Sequence, residues 1–529
     1  MRFKVIGLIL LVLALSPAAY LAWSSRDVPH LGYFQDDGLY LIGAKSLAEG
    51  SGYRILSLPG QPWQTKYPPL YPLLLSAAWV AAPNFPGNLP WALLVSWLWL
   101  PVLLLLCGLY LRDLAFSTTR ILVLCALLAL NPVPAFLSIN LMAEVMFAAL
   151  LLAVLLLAER AGTAGARPTL ALAAGLLAAA AYLTKTAGIP LLLTVTCGLL
   201  WRRRILPASL FLAGMMPAVA AWILWSRAHT AASSDLVTLY YTNYLGFYEA
   251  TISWNDVLAL LSTNADTYLR GLGGLILFNV SDGFFVGFFA RLFAVVAIAG
   301  AVRLARQRGV TQFHLFAIAY SVMLICWNYG PHERFLLPLL PLVWAGFSTE
   351  FLNLIAMAVK AFRGPQMDQR IAATVICTGA GAFALLALAA SWWGFSNFLP
   401  GLVEARRSSL AENRRAFEWI SRNTPAGSKF VARQDTLLYL YAHRTGAPLV
   451  LSTAPFYHGD REAILRQFKN VAEFGRTHDL SHVFFTNEDY HLDLAPDERE
   501  AIRHEFDANP SLHREFSSPR GAVYTVVGQ

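Results

Sequence analysis

Apolar residues in this chain fall in long blocks separated by short polar links, and strand-like patterning is confined to the C-terminal part. Met1 to Trp23 opens with Arg2 and Lys4 and continues as an apolar run of about 20 residues, the length of an uncleaved membrane anchor. A cleaved signal peptide has a similar opening and would leave the later topology unchanged. Ser24 to Lys66 then carries Arg26, Asp27, Asp36, Asp37, Lys45, Glu49 and Arg54. Charged residues cost roughly 2.5 to 3.5 kcal/mol each at the centre of a bilayer helix, so this stretch predicts an aqueous or interfacial loop. Within it, Leu39 to Ala48 has the spacing of a short surface helix.

Pro68 to Ala82 is apolar but, at about 15 residues or roughly 22 Å of helix, short for a span. The blocks after it predict spans at Trp91 to Leu111, Ile121 to Phe136, Leu141 to Leu157, Thr169 to Tyr182, Ile189 to Trp201, Ile205 to Trp225, Phe284 to Val302, Phe313 to Trp327, Phe335 to Ala356 and Ile371 to Trp393. With the first anchor they make about eleven transmembrane helices.

The basic residues choose the sidedness. With the N-terminus in the cytoplasm and Pro68 to Ala82 re-entrant or juxtamembrane, the inner links hold Arg112 and Arg120, Arg160 and Arg167, Arg202 to Arg204, Arg303, Arg306 and Arg308, and Lys360, Arg363 and Arg370. Every inner link is then net basic, as the positive-inside rule asks. If Pro68 to Ala82 crossed instead, Trp201-Arg202-Arg203-Arg204 would lie outside.

Composition agrees: 57% of the residues are hydrophobic, 14% are charged and mean hydropathy is +0.52. A net charge of +8 could point to nucleic acid, but the Lys and Arg form topology signals rather than a basic face with interleaved aromatics, so no nucleic-acid partner is expected. The five cysteines all lie in apolar runs without metal-ligand spacing, which implies neither a disulfide framework nor a zinc site. Residues 1–395 thus read as a transmembrane module, with outer loops at 24–90 and 227–282. Residues 396–529 have ordinary polarity and predict an outer, soluble α/β domain: an amphipathic helix at Leu410 to Ile420, strands at Lys429 to Ala432 and His482 to Thr486, and Ala522 to Val527 closing the sheet.

This topology gathers polar sites on the outer face: the Asp36 loop, Asn140 to Glu144, Lys185, Arg227 to Asp282 and Asn328 to Arg334. Asp36 and Asp37 can supply a general base for a hydroxyl, one acid raising the pKa of the other in a low-dielectric cleft, although Asp-Asp-Gly is also turn chemistry. Two hard oxygen donors could hold a divalent cation. Lys66, fixed before Pro68-Pro69, suits an interfacial phosphate; beside Trp63 and Tyr67 it also suits a membrane anchor. Glu144 at the mouth of a span needs a partner, for which Lys185 is the candidate. Arg334, in His332-Glu333-Arg334, suits bidentate phosphate contact or snorkelling. The sugar-recognition candidates in 227–282 are Tyr240, Tyr241, Asn243, Tyr244, Trp254 and Asp256, and His478 with His482 makes at best a weak metal motif. A Gly-rich phosphate loop, G-x-S-x-G and H-E-x-x-H are all absent from the sequence.

Asp36-Asp37-x-x-Tyr40 after a first helix, Lys66-x-Pro68-Pro69-Leu70, Glu144 at the outer end of a span and Arg334-Phe335-Leu336-Leu337-Pro338 resemble the GT-C membrane glycosyltransferases, in particular the branch of bacterial aminoarabinose transferases and protein O-mannosyltransferases. The resemblance covers most of the chain. It implies a hexosyl or pentosyl transferase of the bacterial inner membrane, moving a sugar from a polyprenyl-phosphate donor to a lipid, glycan or protein acceptor at the periplasmic face. It assigns Asp36, with Asp37, to catalysis. Lys66, Arg334, Lys185 and His332 go to the donor phosphate, and Glu144, Tyr40, Tyr67, Tyr240 and Tyr244 to substrate. No metal ligand is assigned, and the resemblance does not require a cation. The chain departs from the pattern at Asp37, where Glu is usual, and at Thr65, where Glu usually precedes the lysine. The competing class is a multi-pass transporter or lipid flippase, for which paired repeats and mid-span acids would be expected; here the acids cluster at span ends on one side.

Overall fold

The computed structural model describes residues 2–28, 31–277, 283–361 and 369–528. Asp282 and Arg363 lie outside the described residues, as do the side chains of Arg2, Lys4 and Arg370. Among the described residues, five helices are long and apolar enough to cross a membrane: Leu89–Asp113, Ile205–His229, Phe284–Arg308, Glu333–Ala361 and Ala373–Asn423. A sixth arises if Thr118–Ala129 and Pro132–Ile139, bent by 43° where Asn131 and Pro132 interrupt the helix, count as one span. The spans expected at 169–182, 189–201 and 313–327 correspond to helices of 16, 12 and 14 residues. The helix Glu144–Ala161 sits at the centre of the bundle, buried along most of its length, and packs on Thr169–Thr184 and Trp99–Asp113.

Leu70–Ala81, from the segment with too few residues to span, is a 12-residue helix of about 18 Å. It lies against Asp36–Ala48, and the Trp79 indole donates to the Leu41 carbonyl at 3.1 Å. The described residues of 227–282 form helices Leu236–Thr242, Tyr244–Thr251 and Val257–Leu277 where the sequence reads as loop. Asn264 and Asp266 break the apolar pattern of the last of these and find partners in neighbouring segments. Asn264 donates to the carbonyls of Ile325 and Trp327, and Asp266 pairs with Arg291 at 2.7 Å.

The expected boundary at 395 falls within a continuous helical rod. Gln369–Trp393 passes through one wide turn, Gly394–Phe398, into Leu399–Asn423. Beyond it lies a five-stranded sheet built from β1 (Lys429–Ala432), β2 (Thr445–Ala447), β3 (His482–Thr486), β4 (Leu512–Ser518) and β5 (Gly521–Val526). The order is β2-β1-β3-β5-β4, with β1 parallel to both β2 and β3 and the β3-β5-β4 pairs antiparallel. β3 is buried throughout, covered by flanking helices that include Pro496–Ala508.

Candidate active site at the seam

The sequence brings an extended segment, Gln64 to Pro69, between two helices and clamps it there. The Trp225 indole and Ser226 hydroxyl donate to the carbonyls of Gln64 and Thr65, and the Thr65 hydroxyl donates to the Thr242 carbonyl at 2.7 Å. The Gln64 side-chain oxygen accepts from the backbone N–H of both Lys66 and Tyr67. Lys66 is thereby directed into a cage of tyrosine rings, its Nζ 3.9 Å from the centroid of Tyr240, 4.5 Å from Tyr244 and 5.0 Å from Tyr67. Burial pulls its pKa down to about 7; Asp36 opposes the fall, and Arg433 and Arg334 add to it.

Asp36 opens the helix Asp36–Ala48, where the helix dipole favours an acid. One oxygen accepts from the Tyr67 hydroxyl at 2.5 Å, and the other lies 3.2 Å from the Arg334 guanidinium. Burial raises its pKa, but Arg334, Lys66 and Lys185 with the Tyr67 hydroxyl outweigh this, leaving the carboxyl below its usual range. Arg334 comes from the short helix Glu333–Leu336 and sits over the rings of Phe34 and Phe335.

Asp37 faces elsewhere. Its oxygens accept from the backbone N–H groups of Gly32, Tyr33, Phe34 and Gly38, and the side chain is fully buried. Burial lifts its pKa to about 6 against those hydrogen bonds. The two adjacent carboxylates thus have different partners, Asp36 the side chains of Tyr67 and Arg334 and Asp37 backbone N–H groups. Among the described residues no group of three or more His, Cys, Asp and Glu is gathered to hold a metal.

Glu144 and Lys185 meet at 2.8 Å, and Lys185 lies 5.4 Å from the Phe335 ring. Tyr40 is buried edge-on between Tyr67 and Tyr71. Tyr240 donates to the Gln35 side chain, and Tyr244 stacks on Trp327. Tyr241 donates to Asp435. Of the remaining loop candidates, Asn243 caps its helix, Trp254 is 92% exposed, and Asp256 pairs with His458. His478 pairs with Asp235, while His482 belongs to β3.

A cavity of about 670 Å³ opens between the helical bundle and the C-terminal sheet. Arg334, His332 and Tyr240 line it; Asp36, Lys66, Glu144 and Lys185 do not, but Asp36 contacts Arg334 and Lys66 contacts Tyr240. The C-terminal part contributes Arg433, Arg461, Tyr490 and Asp493 to the lining of the same cavity, although its sequence shows no site. Those residues are scattered over a stretch of ordinary composition; strand order brings Arg433 to Tyr490 and Asp493, and a helix, Arg461–Lys469, brings Arg461.

No family model matches the chain, and no curated protein matches it by sequence. Solved structures do match over nearly its full length. The crystal structure of ArnT from Cupriavidus metallidurans bound to undecaprenyl phosphate superposes with a TM-score of 0.55 at 14% identity, covering 97% of both chains. Its apo state gives 0.51 at 13% identity, covering 99% of this chain and 98% of that one. The archaeal oligosaccharyltransferase AglB from Archaeoglobus fulgidus, in complex with an inhibitory peptide and a dolichol-phosphate, gives 0.52 at 14%, covering 99% of this chain and 74% of that one. At such identity the likeness is one of fold alone: the chain shares its fold with ArnT and with the oligosaccharyltransferase AglB.

Proposed function

We propose that this protein transfers a sugar from a polyprenyl-phosphate donor to a lipid, glycan or protein acceptor. The reaction takes place at the periplasmic face of a bacterial inner membrane, with the N-terminus in the cytoplasm and the C-terminal sheet outside. The observation that carries this reading is Asp36, held between Arg334 and Tyr67 with Lys66 close enough to act on its charge. One acid and two cations at the seam between an apolar bundle and a polar domain suit a substrate that has a lipid tail, a phosphate and a sugar. That solved neighbours hold undecaprenyl phosphate and dolichol-phosphate supports the same donor class.

In the reaction, an acceptor hydroxyl gives its proton to Asp36 as its oxygen attacks the anomeric carbon. The bond from that carbon to the phosphate oxygen breaks, and the carrier leaves as a phosphate monoester with one more negative charge. Arg334 and Lys66 stabilise that charge, and preorganised cations aimed at a developing anion are commonly the largest catalytic contribution. When Arg334 turns to the phosphate it releases Asp36, whose basicity rises as the proton must be taken. Asp37, by gathering four backbone N–H groups, holds the loop that presents Asp36.

The test is Asp36→Asn in proteoliposomes supplied with a radiolabelled polyprenyl-phosphate sugar. Loss of transfer by about a hundredfold or more is expected, with normal folding and insertion; a wild-type rate would sink the assignment. Movement of label across the bilayer without sugar release would favour the transporter reading. Mass spectrometry of envelope glycolipids and glycoproteins in a deletion strain then identifies sugar and acceptor.

A further inference from the structure

The C-terminal sheet presents its topological switch point to the cavity. From β1 the chain passes through the helix Asp435–Ala442 to β2 on one side, and later enters β3 on the other side of β1. The winding therefore reverses between β1 and β3, and in open α/β sheets ligands lodge outside the carboxyl ends of the strands at such a point. Here β1 is followed at once by Arg433, and β3 by the segment containing Tyr490 and Asp493. All three line the cavity that Arg334 and Tyr240 line from the other side.

The charges lining this cavity are unequal in their partners. Arg334 is paired with Asp36, and Arg461 with Glu498. Arg433 rests 5.0 Å from the Tyr490 ring centroid and, among the described residues, has no carboxylate within ion-pair distance. Its charge is felt at Lys66, Tyr240 and Tyr329, which places it beside the reaction centre. A guanidinium on a cavity wall, with aromatic rings beside it and a carboxylate nearby, suits a sugar that bears an acidic group: the fork takes the anion, the rings take the sugar face, and Asp493 accepts from hydroxyls.

We propose that Arg433 and the β1/β3 crevice form an anion subsite that holds the acceptor through a phosphate or carboxylate group. This rests on the glycosyltransferase reading. The donor already has Lys66 and Arg334 for its phosphate and the bilayer for its tail, so the wall supplied by the C-terminal sheet serves the second substrate.

Glucose 1-phosphate, glucuronic acid and glucose serve as probes on the detergent-solubilised full chain by saturation-transfer NMR, with undecaprenyl phosphate titrated in parallel. A charged probe should bind more tightly than glucose, and which of the two does so distinguishes a phosphate from a carboxylate acceptor. Arg433→Ala should weaken that probe by about tenfold or more while undecaprenyl phosphate changes by less than about threefold. Arg433→Lys, which keeps the charge but loses the fork, should bind the probe more tightly than Arg433→Ala and less tightly than the wild type, and its melting temperature controls for folding. Equal binding of all three probes, or an equal loss of undecaprenyl phosphate in Arg433→Ala, would overturn the subsite. Failure of the wild-type chain to bind undecaprenyl phosphate would instead overturn the donor reading and, with it, the assignment of the crevice to an acceptor.

Discussion

The guanidinium of Arg334 lies 3.2 Å from the carboxylate of Asp36, and both side chains are mostly buried. Among the cations that hold Asp36 ionised against its burial, Arg334 contributes most. Removing it by Arg334→Ala should therefore raise the Asp36 pKa, and the acidic limb of the transfer rate, which needs the carboxylate form, should move to higher pH. Arg334→Lys keeps a charge and should shift the limb less. Transfer rates measured across roughly pH 4 to 8 decide this; a limb that stays in place in Arg334→Ala would exclude Asp36 as the titrating group.

Lys66 predicts a dependence of opposite sign. Burial, Arg433 and Arg334 depress its pKa to about 7, Asp36 opposes them, and the rings of Tyr67, Tyr240 and Tyr244 surround its ammonium. The protonated form attracts phosphate, so its contribution to undecaprenyl-phosphate binding should be present below pH 7 and fade above it. Lys66→Arg stays charged throughout. The ratio of variant to wild-type affinity should therefore grow as pH rises through 7, a comparison in which the lipid's own ionisation cancels. A flat ratio would show that the lysine does not titrate in this range.

What the sequence reveals of this site depends on contrast. In an apolar chain Asp36, Lys66, Glu144 and Arg334 stand out because each carries a desolvation cost, and their sidedness follows from the charge of the links. Asp37 stands out equally, yet its partners are backbone N–H groups, which no side-chain pattern encodes. Arg433 and Asp493 are ordinary residues in an ordinary domain; only the order β2-β1-β3 makes them neighbours. The helix Val257–Leu277 was hidden by its polar positions, since Asn264 and Asp266 look like loop residues until Ile325, Trp327 and Arg291 satisfy them.

Glu144 and Lys185 form an ion pair with side-chain exposures of 2% and 14%. Breaking a buried pair by removing one partner typically costs about 3 to 5 kcal/mol, because the remaining charge is stranded. Lys185→Met alone should lower the melting temperature more than the double variant Glu144→Gln with Lys185→Met. Melting in detergent tests this, and additive losses would mean that the two charges are not coupled.

Gly38 is the close approach between the acidic-loop helix and the C-terminal part. A Cβ there would lie 2.1 Å from the Thr436 hydroxyl oxygen and 2.8 Å from its Cβ. Gly38→Ala should therefore push the helix Asp435–Ala442 away from Asp36–Ala48, lowering stability and transfer together. Adding Thr436→Gly removes the obstructing atoms and should restore both. If the double variant is no better than Gly38→Ala, the glycine is required for some other reason.

Asp435 links that contact to the catalytic loop. It accepts from Ser57 at 2.7 Å and from Tyr241 at 3.1 Å, and Tyr241 in turn accepts from the side chain of Gln35, the residue before Asp36, whose φ of 64° is unusual for a side chain of this kind. Burial raises the Asp435 pKa from 3.8 to about 6, with the two hydroxyls opposing. The folded state therefore binds more protons than the unfolded state between those values. This contribution to stability is largest below 3.8, falls as pH rises, and above 6 leaves a penalty of about 3 kcal/mol. Asp435→Asn removes the titration while keeping an acceptor for Tyr241. Its melting temperature should fall less steeply than that of the wild type between pH 4 and about 6 and should compare more favourably above it. Asp37 and Asp489, raised by burial to about 6 and about 7, keep part of the slope in both proteins. An unchanged slope would mean that Asp435 is not the buried acid it is taken for, and that Tyr241 holds Gln35 without it.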